Sequence, residues 1–141
     1  MRKKLAVWSL AALLLLGLTA CSGGDSEDAF TVRVVCESPD VYQIFYTCYL
    51  GDEAVGMGGM ADLEGGEITE DTDLTLTFPA AYFEDGADLS QFAMDFSPYG
   101  EGDTSEIATT EKIAIPAAYG ETYTVVFSGA EASGFQAALQ S

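Results

Sequence analysis

From Phe30 onward the chain alternates apolar and polar positions in short runs, and each run ends at a cluster of turn-forming residues. Phe30 to Cys36 is rich in β-branched residues, Glu37-Ser38-Pro39-Asp40 is a turn cluster, and Val41 to Leu50 is a longer aromatic run. Gly51-Asp52-Glu53 turns the chain again, Ala54 to Met60 reads as a glycine-rich strand, and Asp62 to Asp73 as an acidic loop. Leu74, Leu76 and Phe78 alternate with Thr75 and Thr77, the pattern of a half-buried strand. Pro79 suits the first position of a short helical turn reaching Phe83, which Glu84-Asp85-Gly86 ends. Phe92, Met94 and Phe96 predict another strand, and Ser97-Pro98-Tyr99-Gly100 with the acidic residues after it predicts a loop. Ile107 to Ile115 reads as a strand stopped by Pro116, and Tyr123, Val125 and Phe127 as the next. For Phe135 to Leu139 a helix is the alternative, but Gly134 and the period of two favour a strand.

Seven or eight short strands at roughly ten-residue spacing, with no long helical pattern, predict an all-β domain, either an antiparallel β-sandwich or a barrel; the sandwich is preferred. The segment Ile115-Pro116-Ala117-Ala118-Tyr119-Gly120-Glu121-Thr122-Tyr123-Thr124-Val125 resembles the penultimate-strand region of fibronectin-III-like and bacterial immunoglobulin-like domains. The resemblance implies an immunoglobulin-like sandwich in which Tyr123 bonds back to the preceding corner. The only tryptophan is Trp8, so an antibody-type core is disfavoured.

Ahead of this domain the chain opens Met1-Arg2-Lys3-Lys4, then runs apolar from Leu5 to Leu18 with Ser9 as its polar break. Fourteen residues at about 1.5 Å each reach about 21 Å, short of the roughly 30 Å hydrocarbon core of a bilayer. A basic segment before a short apolar helix predicts a secretory signal at residues 1–20 rather than a stable span. The residues that follow, Leu18-Thr19-Ala20-Cys21, resemble the lipobox of bacterial lipoproteins. That resemblance implies a diacylglyceryl group on the Cys21 thiol and cleavage just before it; an ordinary secretory signal is the alternative. Each buried CH₂ contributes about 0.8 kcal/mol, so two acyl chains would hold the protein on its membrane. Ser22 stands where an aspartate would resemble an inner-membrane retention signal, so the expected location is extracytoplasmic and lipid-anchored: a Gram-positive surface, or the outer membrane of a Gram-negative cell. Residues 21–28, with the run Ser-Gly-Gly-Asp-Ser-Glu-Asp after the cysteine, have linker composition, and the sandwich is expected to span residues 29–141.

Composition narrows the partners. After Cys21 only Arg33 and Lys112 stand against 23 carboxylates, a side-chain charge of −21. Such a surface repels phosphate backbones and anionic headgroups, so contact with the membrane is expected through the lipid alone, and nucleic acid is excluded as a partner. Seven tyrosines and eight phenylalanines are too many for a disordered acidic chain.

Two cysteines remain after Cys21. If residues 37–40 close a hairpin, Cys36 opposes Val41 and Cys48 lies about 23 Å farther on, beyond the roughly 7 Å Cα limit of a disulfide. Hairpin and disulfide exclude one another; the hairpin, with two free buried thiols, is favoured.

The chain has no histidine, which removes the serine and cysteine triads and histidine metal sites together. Neither cysteine sits in a cationic setting that would lower its pKa, and no CxxC, P-loop or serine elbow occurs. Gly56-Met57-Gly58-Gly59-Met60 lacks a phosphate-binding lysine and reads as a tightly packed strand or bulge. The acidic runs Glu70-Asp71-Thr72-Asp73 and Glu84-Asp85-Gly86-Ala87-Asp88 offer oxygen ligands for calcium but match no EF-hand loop, so solvated loops are the preferred reading and no metal or cofactor is expected. The aromatic run is the most informative feature. Tyr42 and Tyr46 share one face and Phe45 and Tyr49 the other, whereas a strand covered on one side needs aromatics on that side only. Tyr42 and Tyr46 are the candidate ligand-binding residues, for sugar rings or a protein patch; the competing reading is that other structure covers the second face. The expectation is a tethered, non-catalytic binding or scaffolding module of the envelope, with an envelope protein or polysaccharide as partner. A structural or accessory protein with no ligand of its own is the first alternative. A small glycosidase using paired carboxylates is the second, disfavoured by the small domain.

Overall fold

The computed structural model describes residues 28–103 and 107–140. The expected signal segment, the lipobox-like Leu18-Thr19-Ala20, Cys21 and the expected linker as far as residue 27 lie outside the described residues.

Among the described residues eight strands form two four-stranded sheets stacked as a sandwich, and the only helical turns are of the 3-10 type. The strands are β1 (Ala29–Cys36), β2 (Gln43–Leu50), β3 (Glu53–Ala61), β4 (Leu74–Pro79), β5 (Phe92–Tyr99), β6 (Ile113–Ala114), β7 (Thr122–Ala130) and β8 (Gly134–Leu139). The first sheet has the order β4-β1-β7-β8 and the second β3-β2-β5-β6. The expected alternation is what builds the layer between them. Phe30, Val32, Val34 and Cys36 point inward from β1, Phe92, Met94 and Phe96 from β5, and Val125 and Phe127 from β7, all buried. Each such side chain contributes about 1.5–3 kcal/mol by leaving water. Phe30 is the hub, stacked on Phe78 at 5.1 Å and edge-on to Phe92 at 5.0 Å.

The expected short turn after Pro79 is a 3-10 turn at Ala80–Tyr82, and the final segment is a strand. Four expectations are corrected. Residues 37–40 are not a hairpin loop: β1 and β2 lie in different sheets, and the chain crosses between them. Ser38 and Val41 are buried in the crossing, and Asp40 takes a left-handed conformation (φ 59°) that a short polar side chain tolerates. The cysteines are nevertheless free and buried, one in each sheet. The sandwich is not wholly antiparallel, because β1 and β7 pair in parallel. Such a pair needs a long connection, and here the whole second sheet intervenes in the chain.

The third and fourth corrections concern one edge. β5 continues through Pro98 to Tyr99, where a loop was expected. The carbonyls of Phe92, Phe96 and Pro98 accept bonds from Ile115, Thr110 and Ile107, so even-numbered residues of β5 turn their backbone groups away from β2. The missing N–H of Pro98 therefore falls on that side and costs the β2 ladder nothing. The run 107–115 is a strand only at Ile113–Ala114. Thr110 interrupts it, since its side-chain hydroxyl, not a backbone carbonyl, receives the Phe96 N–H.

Candidate functional site

The hairpin β2–β3 decides what the aromatic run can do. Its turn starts at Gly51 (φ 62°), and the register sets Tyr46 opposite Gly58 and Phe45 opposite Gly59. Ile44, Tyr46, Cys48 and Leu50 consequently face the sandwich interior, while Gln43, Phe45, Thr47 and Tyr49 face solvent.

Tyr46, one of the two candidate ligand residues, is turned inward. It is half-buried, edge-on to Phe78 at 6.5 Å, and its ring lies over Gly58, where a Cβ would come within 2.7 Å of its Cζ. Tyr82, from the 3-10 turn after β4, lies over Gly56 in the same way. Its hydroxyl lies by the Cys48 thiol, whose pKa burial pushes up to about 12. Burial likewise pushes Cys36 up, so both thiols are protonated and weakly nucleophilic at neutral pH. The glycine-rich strand is thus a packing device: it leaves room for two tyrosine rings. Tyr42 lies apart from Tyr46, ahead of β2, and donates its N–H to the Tyr99 carbonyl. Beside it is a small depression with Glu101 and Asp103, and the Glu101 carboxylate, followed by burial, raises its phenol pKa.

The face open to solvent is the other one. Phe45 is 42% exposed and Met57 79%. Phe45 packs against Tyr99 with centroids 4.8 Å apart, and its ring lies over Gly59, where a Cβ would come within 3.0 Å of Cε1. Tyr49 continues the row. Its hydroxyl donates to Asp95 Oδ2 at 2.7 Å, a bond to an anion that raises the phenol pKa, and Lys112 Nζ sits 4.6 Å above the ring. Lys112 also donates to the Gly51 carbonyl at 3.2 Å. The ion pair of Lys112 is with Asp52, at 3.7 Å, and Asp95 is the one carboxylate in the outward rows of β2, β3 and β5, so this face carries little charge on a strongly acidic domain.

The acidic loops are occupied with local structure. Asp62 accepts from the amides of Glu64 and Gly66, Glu67 from Asp40, and Asp88 from Ser90, which lowers the Asp88 pKa. Ile68 anchors the first loop, fully buried, with its N–H on the Val41 carbonyl at 2.7 Å. Among the described residues no three carboxylates or thiols converge on a metal-sized space.

Comparison with protein-family models and with curated proteins finds no match.

Reasoning from sequence alone passed over Phe45, Met57 and Tyr99 as site residues. The opposite parity of Phe45 and Tyr49 in the aromatic run was the available signal. Tyr99 was hidden by Pro98, and Met57 by the glycines around it.

Proposed function

We propose that the chain is a lipid-anchored extracytoplasmic lipoprotein whose immunoglobulin-like sandwich is a non-catalytic binding module of the cell envelope. The contact surface in this reading is the outer face of the second sheet, centred on Phe45, Tyr49 and Tyr99. The observation that carries it is the contrast between this aromatic row of low charge and a chain with 23 carboxylates. Aromatic rings presented on a rigid sheet supply contact area at small entropic cost, since each has only two side-chain torsions to fix. The tether rests on Leu18-Thr19-Ala20-Cys21 after a basic and apolar leader. The immunoglobulin-like reading is supported by Tyr123, whose hydroxyl donates to the Pro116 carbonyl and receives the Ala118 N–H at 3.0 Å.

Two variants test the two halves. Cys21→Ser is expected to leave the protein unprocessed or release it from membranes; a variant that matures normally and still fractionates with lipid refutes the anchor. Phe45→Ser is expected to fold normally, because the ring is solvent-facing, and to lose binding to isolated cell envelopes by about tenfold. Unchanged binding by the folded variant refutes the aromatic face. The accessory reading without a ligand would gain if the wild type itself bound no envelope fraction.

A further inference from the structure

Four strands end the two sheets, and they are not equally protected. β6 has two residues, β4 ends at Pro79 and folds over into a 3-10 turn, and β8 packs beside β6. β3 is the exception: nine residues, Glu-Ala-Val-Gly-Met-Gly-Gly-Met-Ala, with no proline and no charge between Glu53 and its end. Exposed edges normally carry lysine, proline or an inward charge, because a bare row of amides pairs with any strand that meets it. A bulge at Val55 interrupts the start of β3 and leaves Gly56 to Ala61 regular.

The orientation of that row follows from the register. Even-numbered residues of β5 turn away from β2, so odd-numbered residues of β2 bond to β5 and even-numbered ones to β3. The partners of Ile44, Tyr46 and Cys48 are Met60, Gly58 and Gly56, whose backbone groups are therefore used. The amides of Met57, Gly59 and Ala61 point outward, and among the described residues nothing pairs with them. Both ends of the row are anionic: Glu53 at one, next to an Asp52 whose carboxylate pairs with Lys112 at 3.7 Å, and Asp62 and Glu64 at the other. Next to its start is a groove of about 490 Å³ with Leu50, Val55 and Tyr82 as apolar lining and Glu53, Glu84 and Asp85 as carboxylates. That combination suits the aliphatic stem and charged head of a lysine or arginine.

We propose that the β3 edge is a strand-addition site for an extended, cationic segment of another protein, apolar at its centre and basic at its ends. The proposal rests on the binding-module reading and narrows its partner to a polypeptide. Charge complementarity selects this occupant over a second copy of the chain, since two such acidic domains repel. Backbone pairing supplies affinity along the row, and the groove and flanking carboxylates select the side chains.

The test uses the full-length protein and a synthetic peptide of alternating valine and threonine with lysines at both ends, with a glutamate-ended peptide as control. The lysine peptide is expected to bind, with affinity falling steeply between about 50 and 500 mM salt, and the glutamate peptide to bind at least about tenfold more weakly. Met57→Pro deletes one outward N–H and is expected to weaken binding about tenfold. Because that variant could disturb the hairpin, amide exchange on the wild type decides independently. Peptide binding should slow exchange at Met57, Gly59 and Ala61 by about tenfold or more and leave Gly58 and Met60, already bonded, little changed. Equal binding of both peptides, or protection absent from those three amides, overturns the proposal. Protection with no peptide present and a dimer in sedimentation would also overturn it in favour of self-pairing. Loss of envelope binding in Phe45→Ser alongside a β3 edge that takes no peptide would leave the face reading standing and this one refuted.

Discussion

The inward setting of Tyr46 makes a quantitative prediction at Gly58. Adding a methyl group there places a carbon 2.7 Å from Tyr46 Cζ, and closer still to the hydroxyl oxygen. Ordinary carbon contacts lie at about 3.5–4.0 Å, so the overlap is on the order of 1 Å. Overpacking of this kind costs about 1–3 kcal/mol. The tip of the ring can yield part of that, and replacing glycine by alanine removes disorder from the unfolded chain worth about 0.4–1 kcal/mol in the other direction. Gly58→Ala alone is therefore expected to destabilise by only about 1 kcal/mol. The decisive quantity is the coupling. In a Tyr46→Ala background the methyl group has nothing to strike, and Gly58→Ala should become neutral or stabilising. A double-mutant cycle read by urea denaturation should give an interaction of about 1–2 kcal/mol, well outside the roughly 0.3–0.5 kcal/mol scatter of independent sites. Additive effects would mean that Tyr46 does not lie over Gly58, and the assignment of inward and outward faces to β2 would fall with it.

Three further outcomes follow from the same structure. Cys48 is protonated more firmly in the fold, near 12, than its ordinary value of 9.0. Its stabilising contribution is complete below pH 9 and is lost as pH climbs toward 12, at about 1.4 kcal/mol per pH unit; Cys48→Ala should show a shallower decline in denaturation series across that window. Cys36 and Cys48 should react with a thiol reagent only after unfolding, and prompt labelling of the native protein would contradict their burial. Tyr123→Phe removes the bonds to Pro116 and Ala118 and should cost about 1–2 kcal/mol in chemical denaturation without changing envelope binding.

What the chain reveals before folding is local. Alternation at Leu74-Leu76-Phe78 and Phe92-Met94-Phe96 specifies strands because one face of each is buried, and a period of two is the direct imprint of that burial. The same logic fails where burial is not the cause of the conformation. Pro98 stays inside β5 because its missing donor faces away from β2, a fact about neighbouring strands that no residue near Pro98 encodes. Residues 107–112 have strand-like composition but run beside β5 with a hydroxyl inserted into the pairing, so the ladder forms only at Ile113–Ala114.

The connection after Cys36 shows the deeper limit. Glu37-Ser38-Pro39-Asp40 has the composition of a tight turn, and a tight turn and a crossing between sheets use the same residues. What separates them is Val41, buried on the far side of the crossing, and Ile68, which returns from a distant loop to donate to the Val41 carbonyl. The site inherits this. Once β2 is known to belong to the second sheet with β3 on its flank, Gly58 and Gly56 admit Tyr46 and Tyr82 inward, and the outward face falls to Phe45 and Tyr49. The two faces of the aromatic run are equivalent in sequence, and the facing glycines do not separate them, since Gly58 stands opposite Tyr46 and Gly59 opposite Phe45; the tie is broken by packing between the sheets, which buries Ile44 and Cys48 and sets Tyr46, on the same face, against Phe78.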